Sequence, residues 1–128
     1  MKKVCPGLIF VSLLFFLGIV LSIRCEAKYE KDYQREFASR FPEAQVEYIL
    51  PDKARIDILT PEYAIEVDYA KKWAEAIGQA LYYARCTGRY PAILLIVRAD
   101  GSDDKYVRRL HKALELVKVP VIIFFIEK

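Results

Sequence analysis

Arg55-Ile56-Asp57-Ile58-Leu59-Thr60-Pro61-Glu62-Tyr63-Ala64-Ile65-Glu66-Val67-Asp68 is the stretch on which the fold turns. Two short apolar runs rich in isoleucine and valine flank Thr60-Pro61-Glu62-Tyr63, a tight-turn sequence, so residues 55–59 and 64–68 read as two strands of a hairpin. With Pro61 and Glu62 at the centre of the turn, Asp57 falls opposite Glu66 and Arg55 opposite Asp68. Side chains alternate along a strand, so Arg55, Asp57, Glu66 and Asp68 share one side of the sheet. Ile56, Ile58, Ile65 and Val67 share the other. The expectation is a core face and an ionic face.

Directly opposed carboxylates bring their Cβ atoms to about 5 Å and repel each other. A divalent cation would offset that repulsion. Mg2+ takes one or two carboxylates, completes its shell with water and phosphate oxygens, and in that role activates water and stabilises charge on a phosphodiester. The structural alternative is an Arg55–Asp68 ion pair with Asp57 facing solvent.

Working outward, Tyr29, Tyr33, Phe37 and Phe41 recur every four residues and predict a first helix that stops before Pro42, with Glu30 and Gln34 beside the stripe. Residues 45–50 read as a strand and Pro51-Asp52-Lys53 as a turn. After the hairpin, residues 70–84 carry Trp73, Ile77, Leu81 and Ala84 at helical spacing, with Gly88 just beyond. Residues 91–97 form a continuous apolar run, a buried strand; residues 103–117 are an amphipathic helix; residues 119–126 are a last hydrophobic strand. The order helix, three strands, helix, strand, helix, strand predicts an α/β domain whose mixed sheet starts as an antiparallel meander and continues through helical crossovers.

The helix over 70–84 bears on the acids. Lys72, Gln79 and Tyr83 are seven and four residues apart and share a stripe distinct from that of Trp73, Ile77 and Leu81. Because the helix directly follows the strand of Glu66 and Asp68, Lys72 lies within reach of the carboxylates, where an ammonium would orient water or neutralise a phosphate. Otherwise Lys71 and Lys72 are a solvated first turn, opposed by the helix dipole.

The N-terminus has the form of an export signal. Met1-Lys2-Lys3 is cationic, residues 4–23 are apolar and uncharged, and Cys25-Glu26-Ala27 offers small residues at the peptidase positions. Residues 1–27 are therefore expected to be a signal peptide cleaved after Ala27, making the protein periplasmic or secreted. The alternative is an uncleaved inner-membrane anchor, since about 20 apolar residues span a bilayer. Ser22-Ile23-Arg24 argues against a lipoprotein. Residues 28–128 remain as one domain with a single core. Lys2, Lys3, Arg24 and Glu26 leave with the signal, so the formal net charge falls from +3 to +1. A nearly neutral domain has no broad field for nucleic acid and would need a local basic patch. Cys86 alone survives cleavage, so no intramolecular disulfide forms. It is expected to pack at a helix end, and His111 to lie on the surface.

These elements resemble the PD-(D/E)XK nuclease-like superfamily. The likeness rests on the αβββαβ succession, Asp57 before a turn, Glu66-Val67-Asp68 on the next strand, and Gln79-Ala80-Leu81-Tyr82-Tyr83 on the following helix, which is similar to the Q-x-x-x-Y motif of one branch. Leu50-Pro51-Asp52-Lys53, Arg55-Ile56-Asp57 and the run from Glu66 to Tyr83 are similar to small uncharacterised bacterial and phage proteins of this type. The resemblance implies a restriction-endonuclease-like αβββαβ core with a C-terminal helix and strand. It implies Asp57 and Glu66 as ligands of Mg2+ or Mn2+, and Glu30 as an auxiliary acid with Glu36 as second choice. Where the superfamily has its catalytic lysine, this chain has Asp68. Lysine migration to the adjoining helix is known among members, so Lys72 takes that role with Lys71 in reserve. Gln79 and Tyr83 would contact the substrate backbone. The implied function is metal-dependent hydrolysis of nucleic acid, DNA before RNA; the alternative is an inactive exported interaction module.

Overall fold

The structure is a computed structural model describing residues 27–128. The expected signal or anchor segment, with Cys5 and Cys25, lies outside the described residues apart from Ala27. No helix among the described residues is long and apolar enough to cross a membrane. The elements are α1 (Glu30–Ala38), β1 (Gln45–Ile49), β2 (Arg55–Leu59), β3 (Tyr63–Tyr69), a 3₁₀ turn (Ala70–Lys72), α2 (Trp73–Thr87), β4 (Tyr90–Val97), α3 (Asp104–Leu114) and β5 (Ile122–Glu127). The succession is the one expected, and the class is α/β.

The five strands form one open mixed sheet in the order β1-β2-β3-β4-β5. The first two pairings are antiparallel and the last two parallel. β4, buried along nearly its whole length, is the apolar run that the sequence offers for a central parallel strand. One face is covered by α1, whose Tyr33, Phe37 and Ala38 pack on Ile58, Ile65, Val67, Leu94 and Ile96. The other is covered by α2 and α3, with Ala76, Ala80 and Leu110 against Ile93 and Leu95. Both crossover helices lie on the same face, as two successive crossovers of the same hand require.

Element ends depart from the sequence reading for local reasons. The first helix stops at Ala38, and Arg40 and Phe41 donate to carbonyls three residues back, a tightened 3₁₀ end. Tyr29 is therefore an exposed N-cap, not a member of the core stripe, and its N–H donates to Asp32 at 2.8 Å. α3 ends at Leu114 because the amides of Leu116 and Val117 likewise turn back three residues. The last strand begins at Ile122, after Pro120, which has no amide to give the ladder. α2 ends on Gly88, whose φ of 69° is the left-handed cap that glycine adopts without a Cβ penalty.

The stripe that seats α2 is also different. Trp73 and Ile77 are only partly buried, while Ala76, Ala80 and Tyr83 are the residues pressed against the sheet. Alanines there let the helix axis come close, which brings the stripe of Lys72, Gln79 and Tyr83 down over β3. Cys86, expected as a packing residue, is exposed on this helix because it lies off that face. His111 is exposed, as expected. Ala80→Leu, which adds three carbons at a position with no exposed surface, should destabilise the chain by about 1–3 kcal/mol in urea unfolding. Unchanged stability would mean that the close approach of α2 is not required.

Candidate active site

β2 and β3 pair as Ile58↔Ile65 and Leu59↔Ala64, the register read from the turn. Asp57 and Glu66 stand next in that register, yet the backbone ladder stops before them. Val67 N–H donates instead to Asp57 Oδ2 at 2.9 Å. Gln34 of α1 donates through Nε2 to the Asp57 carbonyl at 2.7 Å, so both the backbone and the side chain of Asp57 are tied down. On the other flank, Glu47 sits where β1 would pair with Asp57, between Val46↔Ile58 and Tyr48↔Ile56, and has a φ of 58°. A left-handed non-glycine residue costs about 1–2 kcal/mol. Both neighbours of Asp57 thus break regular sheet geometry.

That break changes the expected faces. Ile56 does not join Ile58, Ile65 and Val67; it packs with Leu50, Leu59, Ala64 and Tyr83 in a separate cluster beneath α2. Nor is the ionic side open, since Glu66 and Asp68 are only 6% and 3% exposed. Arg55 does not pair with Asp68. Its Nη1 lies 3.1 Å from Glu47 Oε2, and Lys31 approaches the same carboxylate at 3.8 Å.

A cavity of about 720 Å³ opens over the break. Glu30, Asp57, Glu66, Asp68, Lys72, Gln79 and Tyr83, all singled out in the sequence, line it together. Lys72 Nζ, at the end of the 3₁₀ turn, lies 3.8 Å from Asp68 Oδ1 near the end of β3, four residues back in the chain. The same oxygen accepts the Tyr69 N–H at 2.8 Å. Gln79 Nε2 donates to the Tyr83 hydroxyl at 3.5 Å. The second choices are elsewhere: Glu36 is a surface residue paired with Lys28 at 2.7 Å, and Lys71 lines a neighbouring cleft. Sequence reasoning missed Glu75 and Lys53 as lining residues, and Gln34 as an anchor. Glu75, three residues after Lys72 on the same stripe, and Gln34, four after Glu30, were detectable by helical spacing.

Electrostatics mark this cavity. Burial, then the charges of Asp57, Asp68 and Glu30, push Glu66 up to about 9. Burial also raises Asp57, against the Val67 hydrogen bond, and raises Asp68 to about 6, against the nearby Lys72. Tyr83 is pushed up to about 12 by burial and by the charges of Glu66 and Asp57. Glu66 Oε2 is buried and has no hydrogen-bond partner among the described residues. A buried acceptor of this kind is costly unless a proton or cation meets it.

The donor set is all oxygen, which suits a hard divalent cation such as Mg2+ or Mn2+. Among the described residues no three His, Cys, Asp or Glu side chains converge as a complete protein ligand set. A pair of carboxylates with water filling the other positions is nonetheless the usual Mg2+ arrangement. Asp57 and Glu66, which line the cavity together, are the pair that would take that role. Comparison with protein-family models, with curated proteins and with solved structures gave no match.

The raised Glu66 and Asp68 values set a direction for stability. The folded chain holds protons more tightly than the unfolded chain, so the contribution is complete below the unfolded values. It declines as pH rises from 4.5 to about 9 for Glu66 and from 3.8 to about 6 for Asp68. The midpoint of thermal unfolding in EDTA should therefore fall with pH across the upper part of this window, and Glu66→Gln should flatten that fall. Equal slopes for the two proteins would remove Glu66 as its source.

Proposed function

We propose that this cavity hydrolyses phosphodiester bonds of nucleic acid, DNA before RNA, with Mg2+ or Mn2+ held by Asp57 and Glu66. The observation that carries the reading is the Glu66 carboxylate, buried with an unpartnered oxygen among Asp57, Asp68 and Glu30. When bound, the cation would supply charge stabilisation at the phosphate and a more acidic water. Asp57 keeps one oxygen on the Val67 amide and has the other for a ligand. Lys72 is half exposed and leans on Asp68, so its ammonium is positioned to meet a phosphate oxygen or to orient the attacking water. Asp68, at the superfamily's lysine position, then serves to hold the amine supplied by the next helix. Gln79 and Tyr83 shape the wall and contact the substrate backbone. The element order and five-strand mixed sheet support a restriction-endonuclease-like fold. With residues 1–27 as an export signal the enzyme acts in the periplasm or outside the cell; with that segment uncleaved it acts at the inner membrane.

A catalytically inactive interaction module is the second reading. One observation favours it: with Glu66 pushed up to about 9, a proton settles the cavity at neutral pH without a metal.

Hydrolysis of plasmid and single-stranded DNA by the full-length chain decides between them. Activity should require Mg2+ or Mn2+ and vanish in EDTA. Glu66→Gln and Asp57→Asn should each reduce it on the order of a thousandfold, the equivalent of several kcal/mol of lost charge stabilisation. Lys72→Ala should cost about 10²–10³-fold. No cleavage, together with no Mn2+-induced rise in unfolding temperature, would sink the enzyme reading.

A further inference from the structure

The carboxyl ends of β3, β4 and β5 meet at a second cavity of about 390 Å³. Tyr69 ends β3, Lys71 and Lys72 follow on the 3₁₀ turn, Arg98 stands just past β4, Tyr106 lies in the first turn of α3, and Lys128 follows β5. Lys72 lines both this cleft and the carboxylate cavity. The carboxyl ends of parallel strands in open α/β sheets are where ligands commonly bind.

Charge in this domain is sorted between the two cavities. Among the described residues the only acidic side chain lining the cleft is that of Asp103, which is buried and accepts the Arg98 N–H at 3.0 Å. Among the described residues Lys71, Arg98 and Lys128 form no ion pair. Cations gathered without partners repel one another, and a bound anion reverses the sign of that energy. The tyrosines hold cations in place: Lys128 Nζ is 4.7 Å from the Tyr69 ring centre, and Lys105 and Arg109 approach the Tyr106 ring at 4.9 and 5.9 Å. The chemistry is that of phosphate recognition, and it supplies the local basic patch that a nearly neutral domain requires.

The geometry points to this cleft as the subsite for backbone phosphates adjoining the scissile one on the same nucleic-acid strand, with Lys72 at the junction. This inference rests on the nuclease reading for the identity of the neighbouring site. It also gives the substrate a direction, running from the carboxylate cavity toward α3 and the end of β5.

The test is binding of a fluorescein-labelled 12-nucleotide single strand to the full-length chain in EDTA, followed by anisotropy across a salt series. Arg98→Gln/Lys128→Gln should weaken binding at least about tenfold and reduce the steepness of log K against log salt by about 1.4, the loss of two single-strand phosphate contacts. Lys71→Glu is an independent second variant expected to act in the same direction. Arg85→Gln, about 20 Å along α2 at its far end, is the charge control expected to leave binding unchanged. A double variant within twofold of the parent, an equal loss with Arg85→Gln, or a parent that binds no oligonucleotide overturns the inference. So does binding to phosphatidylserine–phosphatidylcholine vesicles in place of the oligonucleotide. If strand binding depends on Arg98 and Lys128 while no metal supports cleavage, the phosphate cleft stands and the nuclease reading falls.

Discussion

Between β2 and β3 the backbone ladder gives way at Asp57, and the Val67 amide donates to the Asp57 carboxylate. An interior strand amide must find an acceptor. Supplying it from a side chain lets the two strands part without an orphaned donor, and the gap becomes the floor of a cavity. Gln34 holds the same residue from the opposite face through its carbonyl. The carboxylate is thus part of the sheet's hydrogen bonding as well as of the candidate site, and truncating it would open both.

What closes over the gap is α2. Ala76 and Ala80 let it approach the sheet, and Tyr83 fills the space above Ile56 and Ala64. The consequence is electrostatic. Carboxylates that would be ordinary on a solvated face are enclosed, Glu66 most of all, and their charges then act on one another through protein instead of water. A proton relieves this at Glu66, and the divalent cation proposed above would relieve it in the same way. Under the proposed function, protonation and metal binding would be alternative states of the same cluster.

Beside this acidic enclosure lies a cleft of opposite sign, and Lys72 belongs to both. A net charge near zero conceals the separation. Composition averages over the surface, whereas a phosphate chain responds to potential within about a Debye length, roughly 10 Å. The warning that low net charge gives against nucleic-acid binding applies to broad fields and not to this local one.

Much of the fold was legible in the sequence. Apolar period, turn residues and the proline and glycine stops located every α-helix and strand in order, though Ala70–Lys72, read as the first turn of the next helix, is a separate 3₁₀ turn, and Thr60-Pro61-Glu62-Tyr63 established the register of β2 on β3. The stripe of Lys72, Gln79 and Tyr83 was readable from spacing alone, as was its nearness to Glu66. Tertiary structure decided the rest: that Ile56 belongs beneath Tyr83, that Arg55 pairs with Glu47, that Cys86 is exposed, and that the acids are enclosed. Periodicity and turn chemistry are local and specify which side of an element a residue occupies. What lies across from that side depends on how closely a helix settles on a sheet, and on which backbone groups lose their ladder partners there, and both are set by packing between residues far apart in the chain.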